Sequence, residues 1–186
     1  MPSFPAPRSI EFRAVDTVAT NISPFTGQQQ ILDWQAGWLE ASVTMPPMVD
    51  GLRARAWMAF LSQLHGQACV FQIGDPLAAL PLGTATGGTV SGANQVGYTL
   101  AVSMSGTLEP GDFIQIGNRL YRNLDSAASG SSTLNIWPQI RESPADGDTI
   151  ITQNTKGLFR LKSNTRGWSL AEARIYGFQF DIREAL

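Results

Sequence analysis

Apolar residues recur at helical spacing in one stretch of this chain, within residues 45–76. Ala54, Trp57, Leu61 and Leu64 form a stripe that Phe60 widens, while Arg53, Arg55, Ser62 and Gln63 fall mostly elsewhere. Pro46 and Pro47 stiffen the approach, and Asp50 is placed to cap the free amides of the first turn. Gly66 stands where a left-handed residue ends a helix. A buried strand at 69–73 and the turn Gly74-Asp75-Pro76 follow.

Elsewhere the pattern is short and strand-like. Residues 10–19 alternate, with Ile10, Phe12 and Ala14 on one side and Glu11 and Arg13 on the other. Ser23-Pro24-Phe25-Thr26-Gly27 reads as a turn or loop. Residues 28–35 and 38–45 read as two strands joined tightly at Ala36-Gly37, with Leu39, Ala41, Val43 and Met45 on one face of the second. The helix is expected to cover the apolar face of this three-strand sheet. One of Trp34 and Trp38 is expected to point outward.

Residues 81–94, rich in Gly, Thr and Ser, read as a linker or loop-laden boundary. Short strands at 100–102, 113–116, 120–124, 133–137 and 149–152 are separated by turn signals. These are Glu109-Pro110-Gly111-Asp112, Gly117-Asn118 and Pro144-Ala145-Asp146-Gly147-Asp148. That spacing suggests a small β-barrel or sandwich. Strands return at 158–162 and 173–182, with Ile175, Phe178, Phe180 and Ile182 inward, a turn-rich connection at 163–168, and a bulge near Tyr176 suggested by Gly177. The expected fold is therefore mainly β. A discontinuous β-sandwich-like domain with one packed α-helix, residues 1–82 and 154–186, is interrupted by a small inserted β domain, residues 83–153.

Composition narrows the function classes. Charged residues make up 15% of the chain, below the roughly one quarter usual in soluble domains. Such a surface suits a protein largely covered by neighbours, and equally an ordinary Gly-rich β protein. A net charge of −2 and scattered cations give no support for nucleic-acid binding; Lys156, Arg160, Lys162 and Arg166 form the one mild basic cluster. Cys69 is alone, so no intramolecular disulfide can form, and its apolar neighbours suggest packing rather than reactivity. No apolar segment is long enough to cross a bilayer, and the proline-broken start lacks the apolar region of a signal peptide. Synthesis in a cytoplasm, as a soluble protein without membrane insertion, is expected.

Candidate chemistry is sparse. His65, the one histidine, lies at the helix end, where capping or exposure explains it better than catalysis. Gly66 and the start of a strand separate it from Cys69. Asp112, Asp125, Asp146 and Asp148 sit in or near turns, and Asp146-Gly147-Asp148 is too short for a calcium-binding EF-hand loop. Gly87-Gly88 lacks the Lys and Ser/Thr of a phosphate-binding loop. No catalytic, metal-ligating or cofactor-binding set is expected. Among the aromatics, Trp137 and Tyr121 of the inserted domain are the candidates for a peripheral sugar-stacking platform.

Taken together, Ser23-Pro24-Phe25-Thr26-Gly27-Gln28, the Trp34 and Trp38 region, Met45-Pro46-Pro47-Met48, Ala56-Trp57 and Gly74-Asp75-Pro76 carry a resemblance. So do Gly111-Asp112-Phe113-Ile114-Gln115-Ile116-Gly117, Leu120-Tyr121, Ile136-Trp137-Pro138, Pro144-Ala145-Asp146-Gly147, Tyr176-Gly177-Phe178 and Glu184-Ala185-Leu186. The chain resembles the distal tail, or tail-tip hub, proteins of long-tailed (siphovirus-type) phages and prophages.

The resemblance implies a non-enzymatic virion protein of the phage tail tip, a homo-hexameric ring joining the tail tube to the distal tip or baseplate. Its partners would be other copies of itself, the tail tube protein and tail-tip hub or fibre proteins, with a role in host attachment. The alternative is a carbohydrate- or receptor-binding module acting on host-surface glycan through the inserted domain. A wall hydrolase using Asp146 or Asp148 is the third and weakest reading.

Overall fold

The computed structural model describes residues 1–2, 5–171 and 175–186. It is mainly β, with one α-helix and a closed six-stranded barrel. In chain order the elements are β1 (Ser9–Ile22), β2 (Gln29–Thr44), α1 (Gly51–Gln63), β3 (Phe71–Ile73), β4 (Gly87–Val90), β5 (Gly97–Ser105) and β6 (Phe113–Ile116). There follow β7 (Arg119–Asn123), β8 (Gly130–Ile140), β9 (Thr149–Ile151), β10 (Gly157–Leu161), β11 (Trp168–Leu170) and β12 (Tyr176–Glu184). A short 3-10 turn spans Pro76–Ala78. The strand expected from residue 173 is described only from Tyr176; residues 173 and 174 lie outside the described set.

Two compact units emerge. One comprises Met1–Arg13, Leu39–Asp75 and Lys156–Leu186; the other comprises Ala14–Trp38 and Pro76–Thr155. Residues 14–38, 76–82 and 154–155, grouped by the sequence with the helix-bearing domain, thus cluster with the barrel. Bonds within the second unit account for this. The Trp137 indole donates to Asp16, Arg141 donates to the Gly37 carbonyl, and the Asp112 carboxylate holds the Leu82 and Gly83 amides.

In the first unit the sheet order is β1-β2-β12-β10-β3, with β11 also paired to β12. Ala41 lies opposite Ile182, and Phe159 opposite Glu184 and Phe71. Helix α1 forms as the spacing predicts. Asp50 is its N-cap, accepting the Leu52 amide at 2.9 Å, and Gly66 takes φ +68° just past its end. Ala54, Trp57, Leu61 and Leu64 are buried. Trp57 packs against Phe60 and Phe180 with ring centroids 5.7 and 6.3 Å apart, and Phe60 meets Phe71 edge-on at 5.4 Å. The helix and the sheet thus close one aromatic core.

β10 and β11 share one edge of β12. Leu161 pairs with Ile182 and Trp168 with Phe178, while residues 163–167 swing away between them. The expected bulge near Tyr176 is absent from the β11–β12 register, which runs regularly through Gly177. The extra residue lies on the opposite chain. Gln179 faces Thr44, yet Tyr176 bridges Met48, so Met45-Pro46-Pro47-Met48 spans one residue more than its partner. Proline, which cannot donate to a ladder, explains why the irregularity falls there.

The second unit is an antiparallel barrel of order β4-β5-β8-β7-β6-β9, closed by β9 against β4. This settles the choice between barrel and sandwich for that unit. Leu100, Val102, Ile114, Leu134, Ile136 and Ile150 fill it. The Gly-rich stretch read as a linker supplies a barrel strand, β4. A Cβ on Gly88 would stand 2.7 Å from the Ser103 carbonyl and 2.5 Å from the Met104 sulfur, so glycine here permits close approach rather than slack.

The β1–β2 hairpin corrects a second expectation. Ala36-Gly37 is no turn: β2 runs unbroken for 16 residues, with Gln35 at φ +54° as a local irregularity. The turn lies at 23–28, where the Ser23 amide donates to the Gln28 carbonyl and the Gly27 amide to that of Ser23. In β1 the burial alternation slips one step after Arg13. Ile10 and Phe12 are half-buried, Ala14 is exposed, and Val15, Thr17 and Ala19 continue the inner face. That slip falls where the chain passes from one unit to the other.

Candidate functional site

The two residues singled out for a sugar platform do not share a face. Tyr121 is only 3% exposed and belongs to the barrel core. Trp137 sits opposite Arg122 across β7 and β8, half-buried, with its indole Nε1 donating to Asp16 Oδ1 at 2.8 Å. Successive strand residues point to opposite faces, so Tyr121 and its neighbour Arg122 diverge, and Trp137 lies on the Arg122 side.

The acidic turn residues hold backbone. Asp112 accepts from the amides of Leu82, Gly83 and Glu109 at 2.7, 3.3 and 2.8 Å. Asp146 accepts the Gly92 amide, Asp148 that of Ala145, and Asp125 the side-chain amide of Asn135. The Glu109–Asp112 and Ala145–Asp148 bonds are the local turn-forming bonds that short acidic side chains favour, while those to Leu82, Gly83 and Gly92 tie in backbone from far along the chain. His65 adopts φ +48° past the end of α1, and the Cys69 amide donates to the Leu64 carbonyl. Among the described residues no group of three or more His, Cys, Asp and Glu could hold a metal ion. Among the described residues no helix is long and apolar enough to cross a membrane.

What the structure does show is a concentration of exposed apolar side chains, on both faces, along the β1–β2 hairpin. Val18, Ile22, Phe25, Ile31, Leu32 and Trp34 are all exposed, Phe25 at 95% and Trp34 at 57%. Trp34 is thus the outward member of the expected Trp34 and Trp38 pair; Trp38 is half-buried. Six large apolar side chains within 17 residues exceed the scattered exposure normal for a soluble monomer. Asp16 and Asp33 are the only charged residues between positions 14 and 38. Sequence reading identified the turn but not the exposure. Splitting β2 at Ala36 concealed a strand long enough to carry residues 29–35 beyond its buried part.

A second feature lies in the first unit. Where residues 163–167 leave the edge of β12, a groove of about 420 Å³ opens, lined by Leu61, Leu161 and Phe180, with Lys162 and Arg166 among its polar residues. Arg166 is held there by donating to the Leu61 and Ser62 carbonyls at 3.0 Å, near the end of α1, where the Ser62 carbonyl also accepts the His65 amide. Lys162 pairs with Glu40.

Tyr98 on β5 has its ionisation pushed above the ordinary value of 10.0, first by loss of solvent and then by the negative charges of Asp33 and Asp16. Both carboxylates belong to the arm. Compared with known proteins, the chain matches no family model, and no curated protein matches it significantly.

Proposed function

We propose that this chain is a non-enzymatic structural subunit of a phage tail tip, assembling with copies of itself into a homo-hexameric ring between the tail tube and the distal tip. The observation that carries this reading is the exposed apolar arm of 18–34, which costs free energy in water and favours a protein neighbour. The low charge content is in keeping with a surface covered by other subunits. The acidic residues that a hydrolase would need, Asp146 and Asp148, are engaged with backbone amides. Tail tube and tail-tip hub or fibre proteins are the other partners this reading implies. Host attachment would then follow from what the ring carries, rather than from a stacking platform of Trp137 and Tyr121.

The native mass of the purified protein tests the reading. A species near six times the 20.1 kDa chain is expected. A monomer that persists at every concentration, and also in the presence of the tail tube protein, overturns it.

A further inference from the structure

We draw no further inference here: the strongest candidate, the apolar patch that Val18, Phe25, Ile31, Leu32 and Trp34 expose along the β1–β2 hairpin, lies on both faces of the strands, and nothing in the structure shows what covers it.

Discussion

The indole N–H of Trp137 donates to the Asp16 carboxylate at 2.8 Å, joining positions 121 residues apart within the barrel unit. Gly37 lies against this pair: a Cβ there would stand 3.0 Å from both Asp16 Oδ1 and Trp137 Nε1. A side chain at 37 would therefore press on the bond, and one of its partners would have to give by a few tenths of an ångström.

A double-mutant cycle of Asp16→Ala and Trp137→Phe, read by urea denaturation, is expected to return a coupling of about 1 kcal/mol, as for an exposed charge-assisted hydrogen bond. Gly37→Ala is expected to destabilise by about 1–2 kcal/mol, and that cost should shrink in the Trp137→Phe background. Strict additivity of Asp16→Ala and Trp137→Phe would remove the bond from any account of the hairpin.

Gly88→Ala should interfere with barrel closure, because the added methyl meets the Ser103 carbonyl, which is backbone and cannot swing aside. A loss of about 1–3 kcal/mol is expected, within the range for overpacked sites. Thermal unfolding followed by circular dichroism measures it, and an unchanged midpoint would contradict the close approach of β4 and β5.

In the other unit, Trp57→Ala should cost about 3–5 kcal/mol, since Trp57 is fully buried between Phe60 and Phe180. Removing the helix cap by Asp50→Ala should cost about 1 kcal/mol. Denaturant midpoints rank the two, and equal effects would count against the central place of the tryptophan.

Tyr98 gives a pH dependence of definite sign. Its folded-state ionisation lies above 10.0, so the neutral phenol is favoured by folding. The associated stability is present in full below the unfolded value and is lost as pH rises through the folded one. Tyrosinate absorbance, taken as the difference between wild type and Tyr98→Phe, should show a lower midpoint after Asp33→Asn or Asp16→Asn. An unmoved midpoint in both variants would assign the shift to loss of solvent alone.

How much of this was legible in the sequence depended on whether a pattern had one explanation. Helix α1 was legible in full, because the apolar stripe, the Asp50 cap and Gly66 all pointed to one element. Strand β6 was legible to the residue, since Phe113 and Ile116 are bounded by glycine turns on both sides. Glycine misled at two places. Ala36-Gly37 and the 81–94 stretch read as chain breaks, but Gly37 and Gly88 lie within strands where another group approaches closely. That requirement comes from residues far along the chain and leaves no local trace. Tyr121 and Trp137 looked equivalent as aromatic strand residues; only the pairing of β7 with β8 separates their faces. The exposure of the arm was invisible for a similar reason, since Ile31 and Leu32 carry no sign of what lies opposite them.

The order in which the chain is made gives the sheet of the first unit a further significance. Strand β2 must wait for β12, with Ala41 pairing with Ile182 near the end of the sequence. Every strand of the barrel, by contrast, lies between Gly87 and Ile151. On the ribosome the barrel can close while the apolar face of β2 and the stripe of α1 are still without their partner strand. The interval of greatest risk for aggregation therefore comes late in translation, after the inserted unit has folded and before the last strand emerges.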